Sequence, residues 1–329
     1  MPTSSMSKTM TAYMTFEALK EGRLKLDDKF TVSEKAWRKQ GSKMFLEVGS
    51  QVSIDDLLKG LLIQSGNDAA ITLGEGLGGT EDAFAAAITE KAHQLGMKNT
   101  HFANASGWPD PEHYSTAHDL TILVRDLIKN FPDYYKRYCS QEEFTYNNIR
   151  QRNRNPLLYR NIGADGVKTG HTEVGGYGLI GSGVYNGRRV IEVLNGMPSE
   201  KDRAQEGARL LEWALRSFEN VTLFKAGDII TNIDVVLGDK EQVGLTIDQD
   251  AFVTVPSLNK SLLKVEAEYK APLMAPIKKG DVLGELRIKI TEDNVVKIPL
   301  VAAEDVKEQG FIQKTFSKMM LKLGGGKKS

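Results

Sequence analysis

Ser5-Met6-Ser7-Lys8-Thr9-Met10-Thr11-Ala12-Tyr13-Met14 decides how this chain is to be read. Met10, Met14 and Ala18 recur at four-residue spacing and Gly22 follows, which predicts an amphipathic helix beginning at Ser5. Ser5 and Lys8 then share one face, within hydrogen-bonding reach, at the end of the helix where free N–H groups and the positive dipole lie. A serine with a lysine one turn away is the pair that nucleophilic acyl transfer requires. The spacing alone is weak, because Ser257-Leu-Asn-Lys260 and Ser261-Leu-Leu-Lys264 repeat it in a β-rich region where nothing complements them.

Two later strings complement Ser5. Ser53-Ile-Asp-Asp56 reads as a capping box for a helix, DDLLKGLLIQ, that breaks at Ser65-Gly66-Asn67 and resumes as DAAITLGEG. Lys168-Thr169-Gly170 lies in GADGVKTGHTEVGGYGLIGSGV, which with RRVIEVLNG predicts adjacent strands joined by the turn Asn186-Gly187. Either string alone would be an ordinary loop or strand start. In this order after Ser5 they supply a second hydroxyl, an amide and a cationic strand, the parts of a serine acyl-transferase.

Composition excludes several alternatives. Lys+Arg and Asp+Glu are both 43 in 329 residues, so no overall field favours nucleic acid. The single Cys139 rules out an intrachain disulfide or a multi-cysteine metal site and is expected simply to be buried. Gly74-Glu-Gly76-Leu-Gly-Gly79 follows a helix instead of a strand, so it is expected to end one helix and start the next, not to bind a dinucleotide. His113 and His118 are five apart, not the i, i+4 pair of a helical zinc site; neither metal nor cofactor is expected. No apolar run reaches the roughly 20 residues of a spanning helix, and MPTSSMSKTMTAYM has no secretory pattern, so the chain reads as soluble.

The layout is α+β. Helices capped by Thr80 and by Ser115 or Thr116 build a helical lobe, and DRAQEGARLLEWALRSF is expected to pack on the sheet. Residues 1–220 form the expected catalytic domain. From Val221 to about 303, short segments such as DAFVTVP and ELRIKI predict a small antiparallel sandwich or barrel. Within 304–329, Ile312, Phe316, Met319, Met320 and Leu323 fall opposite Lys314, Lys318 and Lys322, the pattern of a helix lying on an anionic membrane surface.

With KNTHFANASG, YSTAHDL, FTYNNIRQRNRN and VKTGHTEVGGYGLI added to the three strings, nearly the whole chain resembles the serine D-alanyl-D-alanine carboxypeptidases of the low-molecular-mass penicillin-binding proteins. The resemblance implies a helical lobe packed on an antiparallel sheet, as in β-lactamases and penicillin-binding transpeptidases, then a β-sandwich and an amphipathic tail at the periplasmic face of the inner membrane. It implies a peptidoglycan stem peptide ending in D-Ala-D-Ala as substrate and β-lactam antibiotics as inhibitors. Ser5 is then the nucleophile and Lys8 its base, kept neutral by burial and by Lys168. Ser65 relays a proton and Asn67 orients Lys8 and substrate. Lys168, Thr169 and Arg203 hold the terminal carboxylate, Gly170 admits the substrate backbone, and the N–H groups of Ser5 and His171 form the oxyanion hole. A β-lactamase-like hydrolase is the rival enzyme, but no acid sits in a loop suited to rapid deacylation. The family carries a signal and a strand pair before its nucleophile, whereas only four residues precede Ser5 here. The expectation is a truncated or mis-started version of a longer protein; an inactive binding protein is the alternative that follows.

Overall fold

In the computed structural model, residues 1–258, 263–291 and 294–310 are described, and they form two compact units, Met1–Arg216 and a second beginning at Ser217. The predicted tail helix lies outside the described residues.

The first unit is built around a single helix. A 3₁₀ turn, Ser4–Ser7, leads directly into α1 (Lys8–Lys20). This helix is not amphipathic as the methionine spacing predicts. Ten of its 13 residues are buried, Thr9, Thr11 and Thr15 among them. Thr11 and Thr15 can be buried because their hydroxyls find backbone acceptors, Thr11 Oγ1 donating to Ala105 O at 2.7 Å and Thr15 Oγ1 to Thr11 O at 2.8 Å, whereas Thr9 Oγ1 meets no partner among the described residues. The short strands β1 (Lys29–Thr31) and β2 (Gln51–Ser53) pair antiparallel, with α2 (Glu34–Arg38) between them in sequence.

Ser53 caps α3 (Ile54–Lys59), accepting from Asp56 N and donating to Asp56 Oδ2. A π turn over Gly60–Gln64 precedes α4 (Asn67–Gly78). That helix runs through Gly74 and Gly76 and ends at Gly78, just ahead of the next, as the glycine run predicts. A Cβ at Gly76 would strike the Phe30 ring, so these glycines let the helix lie close to its neighbours. Thr80 caps α5 (Glu81–Gln94) and Thr116 caps α6 (Ala117–Asn130), and α7 (Pro132–Cys139) ends in the buried Cys139. A hairpin of β3 (Glu143–Tyr146) and β4 (Ile149–Arg152) follows.

The sheet behind the lobe has the order β5 (Ala164–Thr172), β6 (Gly176–Tyr185), β7 (Arg188–Met197), all antiparallel. Asn186 and Gly187, both at positive φ, close the β6–β7 turn. Successive residues of β6 serve opposite cores: Ile180 joins Met6, Tyr135 and Val167, while Leu179 joins Leu157, Leu211 and Leu215 under α8 (Glu200–Arg216). The second unit carries a six-stranded sheet and a separate two-stranded pair, whose inward residues, such as Leu245, Val253, Ile288 and Leu300, share one core. The α+β architecture read from the sequence is therefore present, with a sheet-built second unit.

Glu192 on β7 faces the α8 side, is 6% exposed, and neither carboxyl oxygen meets a donor. Burial pushes its pKa from 4.5 up to about 8, so the folded protein holds a proton that the unfolded chain releases. Stability should therefore fall as pH rises from 4.5 to about 8. In Glu192→Gln this part of the pH dependence should vanish, and thermal melts across the range should show the variant's advantage widening with pH; parallel curves would contradict it.

Candidate active site

The Ser4–Ser7 turn decides where Ser5 points. In a 3₁₀ turn side chains at i and i+3 eclipse, whereas an α-helix keeps them on one face but offsets them by about 60°. Ser5 and Lys8 are so aligned, with Lys8 Nζ 2.7 Å from Ser5 Oγ. The same nitrogen donates to Asn67 Oδ1 at 2.7 Å and to Ser106 O at 2.8 Å, and Lys8 is 0% exposed. Gly107, next to Ser106, lies at φ +77, and a Cβ there would come within 1.8 Å of Ser4 O. Only glycine lets the loop approach the Ser4–Ser7 turn this closely.

Ser65 and Asn67 meet this centre because the chain changes helix type before them. The π turn ends at Ser65, which takes a left-handed φ of 67, and α4 restarts at Asn67. Asn67 is fixed from three sides: its N–H donates to Ser42 O, its Nδ2 to Gln40 O, and its Oδ1 accepts from Lys8. Asp68 is buried beside it and accepts from the N–H groups of Met44, Leu46 and Ala69, which locks the start of α4.

Strand β5 forms the opposite wall. A cleft of about 880 Å³ is lined by Ser5, Ser65 and Asn67 on one side and by Thr169, Gly170, His171 and Arg203 on the other. Lys168 is buried, its Nζ donating to Thr169 O at 2.9 Å. His171 stacks on Tyr177 with ring centroids 3.9 Å apart. Arg203 lies in the first turn of α8; it is 4% exposed, pairs with Glu200 at 2.9 Å and sits 5.6 Å from the Tyr177 ring. Gly170 has a packing role beyond the expected one. A Cβ there would meet Thr3 O at 2.9 Å and Ser4 Cβ at 3.1 Å, so the missing side chain brings the Ser4–Ser7 turn onto the strand.

Electrostatics completes the geometry. Burial first, then the Arg154 guanidinium, lowers the Lys8 pKa to about 7, opposed by Asp68. Arg154 thus takes the place expected of Lys168 as the leading cation acting on Lys8. Lys168 is itself pushed well below the ordinary lysine range, by burial and then by Lys8, Arg154 and Arg203. Arg154 also lines the cleft, and burial lowers its pKa as well. Three desolvated cations around one opening favour an anionic ligand.

Known proteins resemble this chain over nearly its whole length. A family model described as D-alanyl-D-alanine carboxypeptidase matches residues 1–199, and one described as penicillin-binding protein 5, C-terminal domain, matches residues 218–308. The chain belongs to the D-alanyl-D-alanine carboxypeptidase family. It is 37% identical to the D-alanyl-D-alanine carboxypeptidase DacA of Haemophilus influenzae over 98% of this chain and 83% of that protein. Against DacC of Escherichia coli the identity is 37%, covering 97% and 82%. Crystal structures of penicillin binding protein 5 from Haemophilus influenzae superpose with a TM-score of 0.83 at 37% identity, covering 94% of this chain and 91% of that one.

Sequence reasoning missed several parts of this carboxypeptidase cleft. Arg154 was visible in the run Arg150-Gln-Arg-Asn-Arg154, but nothing local shows which arginine turns inward. Ser106 contributes its backbone carbonyl, for which no residue type is a signal. Trp108 lines the cleft with Lys39 Nζ 4.2 Å from its ring, a pairing between loops 69 positions apart.

Gly107 offers a test of the packing. Gly96 has a similar positive φ of 95 but open space where a Cβ would go. Gly96→Ala should cost only the left-handed strain, on the order of 1 kcal/mol. Gly107→Ala should lose clearly more in denaturant unfolding, because Ser4 must move as well. Equal losses would contradict the close approach.

Proposed function

We propose that the chain is a serine D,D-carboxypeptidase that removes the terminal D-alanine from peptidoglycan stem peptides through an acyl-enzyme, with catalysis in residues 1–220. The observation that carries this reading is the environment of Lys8. A neutral amine has two N–H groups and one lone pair. With Asn67 Oδ1 and Ser106 O taking the two N–H groups, the lone pair faces the Ser5 hydroxyl at 2.7 Å. At a pKa of about 7 a large fraction of Lys8 is neutral at physiological pH, and the amine can act as a general base.

Ser5 Oγ then attacks the carbonyl carbon between the last two D-alanines while its proton passes to Lys8 Nζ. Backbone N–H groups of Ser5 and His171 receive the developing oxyanion, each worth on the order of 3 kcal/mol in such sites. The tetrahedral intermediate breaks its C–N bond, and the proton travels from Lys8 through Ser65 to the departing D-alanine amine. Water attacks the ester by the same route in reverse, returning the proton to Ser5. Thr169, Lys168 and Arg203, joined by Arg154, hold the substrate's terminal carboxylate. A penicillin enters the same chemistry because its lactam carbonyl and carboxylate mimic these two groups.

The substrate's location supports action at the periplasmic face of the inner membrane, and the alternation of apolar and lysine positions over 311–323 supports peripheral attachment there. Among the described residues no helix is long and apolar enough to cross a membrane.

Intact-mass analysis after mixing with benzylpenicillin should give a one-to-one adduct that maps to Ser5 and is absent from Ser5→Ala. The unmodified protein should release D-alanine from a peptide ending in D-Ala-D-Ala. Rapid turnover of the drug without an adduct would make it a β-lactamase. An adduct that survives in Ser5→Ala would overturn the nucleophile.

A further inference from the structure

His113 lies on the loop after α5, outside the cleft's reacting atoms, yet it is only 4% exposed and touches two parts of the catalytic centre. Its Nδ1 accepts from the N–H of Ala103 at 3.1 Å, and its Nε2 lies 2.7 Å from Ser7 Oγ. A backbone N–H cannot accept, so Nδ1 carries no proton and the neutral ring is the Nε2–H tautomer. Nε2 therefore donates to Ser7 Oγ, which leaves the Ser7 proton free for Thr3 Oγ1 at 2.7 Å. Ser7 and Thr3 are 1% and 0% exposed, so the chain of three groups is sealed from solvent. Burial pushes the imidazole down to about 4, so the ring stays neutral through the working range of the enzyme.

The position of this chain gives it a purpose. Thr3 and Ser7 bracket the 3₁₀ turn from its two ends, and Ser5 lies between them. Relaxing that turn to α geometry would offset Ser5 from Lys8 by about 60° and loosen their alignment, because i and i+3 eclipse only at three residues per turn. The His113 ring also packs edge-on against Phe102, 5.5 Å between centroids, and the backbone N–H of His113 donates to Asp110 O, closing a turn. It so fixes both ends of the loop that brings Ser106 O to Lys8.

We propose that His113 is a positioning residue for acyl transfer: as a neutral Nε2–H donor it clamps Ser7, and through Ser7 it holds the 3₁₀ turn that aligns Ser5 with Lys8. The inference rests on the reading of Ser5 as nucleophile and Lys8 as its base.

Four variants of the full chain test it: His113→Leu, Ser7→Ala, the two combined, and His113→Gln, whose amide keeps a donor and an acceptor. The readouts are the second-order rate of benzylpenicillin acylation by intact mass, circular dichroism, and the ¹⁵N spectrum of histidine-labelled wild type. His113→Leu and Ser7→Ala should each remain folded and acylate roughly tenfold to a hundredfold more slowly, the cost of a small misplacement of reacting groups. The combined variant should be no slower than the slower single one, since both break one chain, and His113→Gln should recover part of the rate. The ¹⁵N spectrum should show a protonated Nε2 and a bare Nδ1.

Folded His113→Leu and Ser7→Ala proteins acylating at the wild-type rate would overturn the proposal, as would losses that add in the combined variant or a proton on Nδ1. If His113→Leu does not fold, the Ser7→Ala rate and the tautomer decide. A wild type that takes no penicillin overturns the reading of Ser5 and this inference with it; normal acylation that is indifferent to both substitutions overturns the inference alone.

Discussion

Lys8 is an amine taken completely out of water, and such a group is tolerable only if its protons find partners or it gives up its charge. Both conditions are met. Asn67 Oδ1 and Ser106 O come from segments far away in sequence, and both must arrive within 2.8 Å of one nitrogen. The local irregularities of the first unit follow from that demand. A 3₁₀ turn aligns Ser5, a π turn and a left-handed Ser65 deliver Asn67, and Gly107 at positive φ allows the Ser106 loop to close.

The opposite wall meets a related demand. Arg154, Lys168 and Arg203 gather near one opening, each desolvated, and their mutual repulsion is part of what the fold must hold together. Glu200 partly offsets two of them, Arg154 and Arg203, from the rim. A bound carboxylate would relieve the rest, so part of the strain is released only when an anionic ligand arrives. The same repulsion works on Lys8 through Arg154, which links the site that would anchor substrate to the readiness of the base.

Much of this was legible in the sequence, for physical reasons that differ from residue to residue. Ser5 and Lys8 could be read because a helix start fixes the geometry of i and i+3. Ser65 and Asn67 could be read because a helix that breaks and resumes leaves a polar interruption in an apolar pattern. The resemblance to the carboxypeptidase family then joined these local signals across the chain. What stayed hidden depends on tertiary contact. The buried surroundings of α1 come from neighbours, so its methionine spacing wrongly suggested one wet face. Arg154 looks like any arginine of a basic hairpin end, the Ser106 carbonyl has no side-chain signature, and His113 read as a poor metal ligand instead of a hydrogen-bonding strut. Gly170 was noticed as a gap for substrate, yet the gap is filled largely by Thr3 and Ser4.

The central claim is that Lys8 is held close to neutrality in the free protein. NMR titration of protein labelled with ¹³C at the lysine Cε, with the Lys8 signal assigned by its loss in Lys8→Arg, measures this directly. A midpoint of about 7 is expected. A Lys8 that titrates with the exposed lysines, near the ordinary value of 10.5, would contradict it.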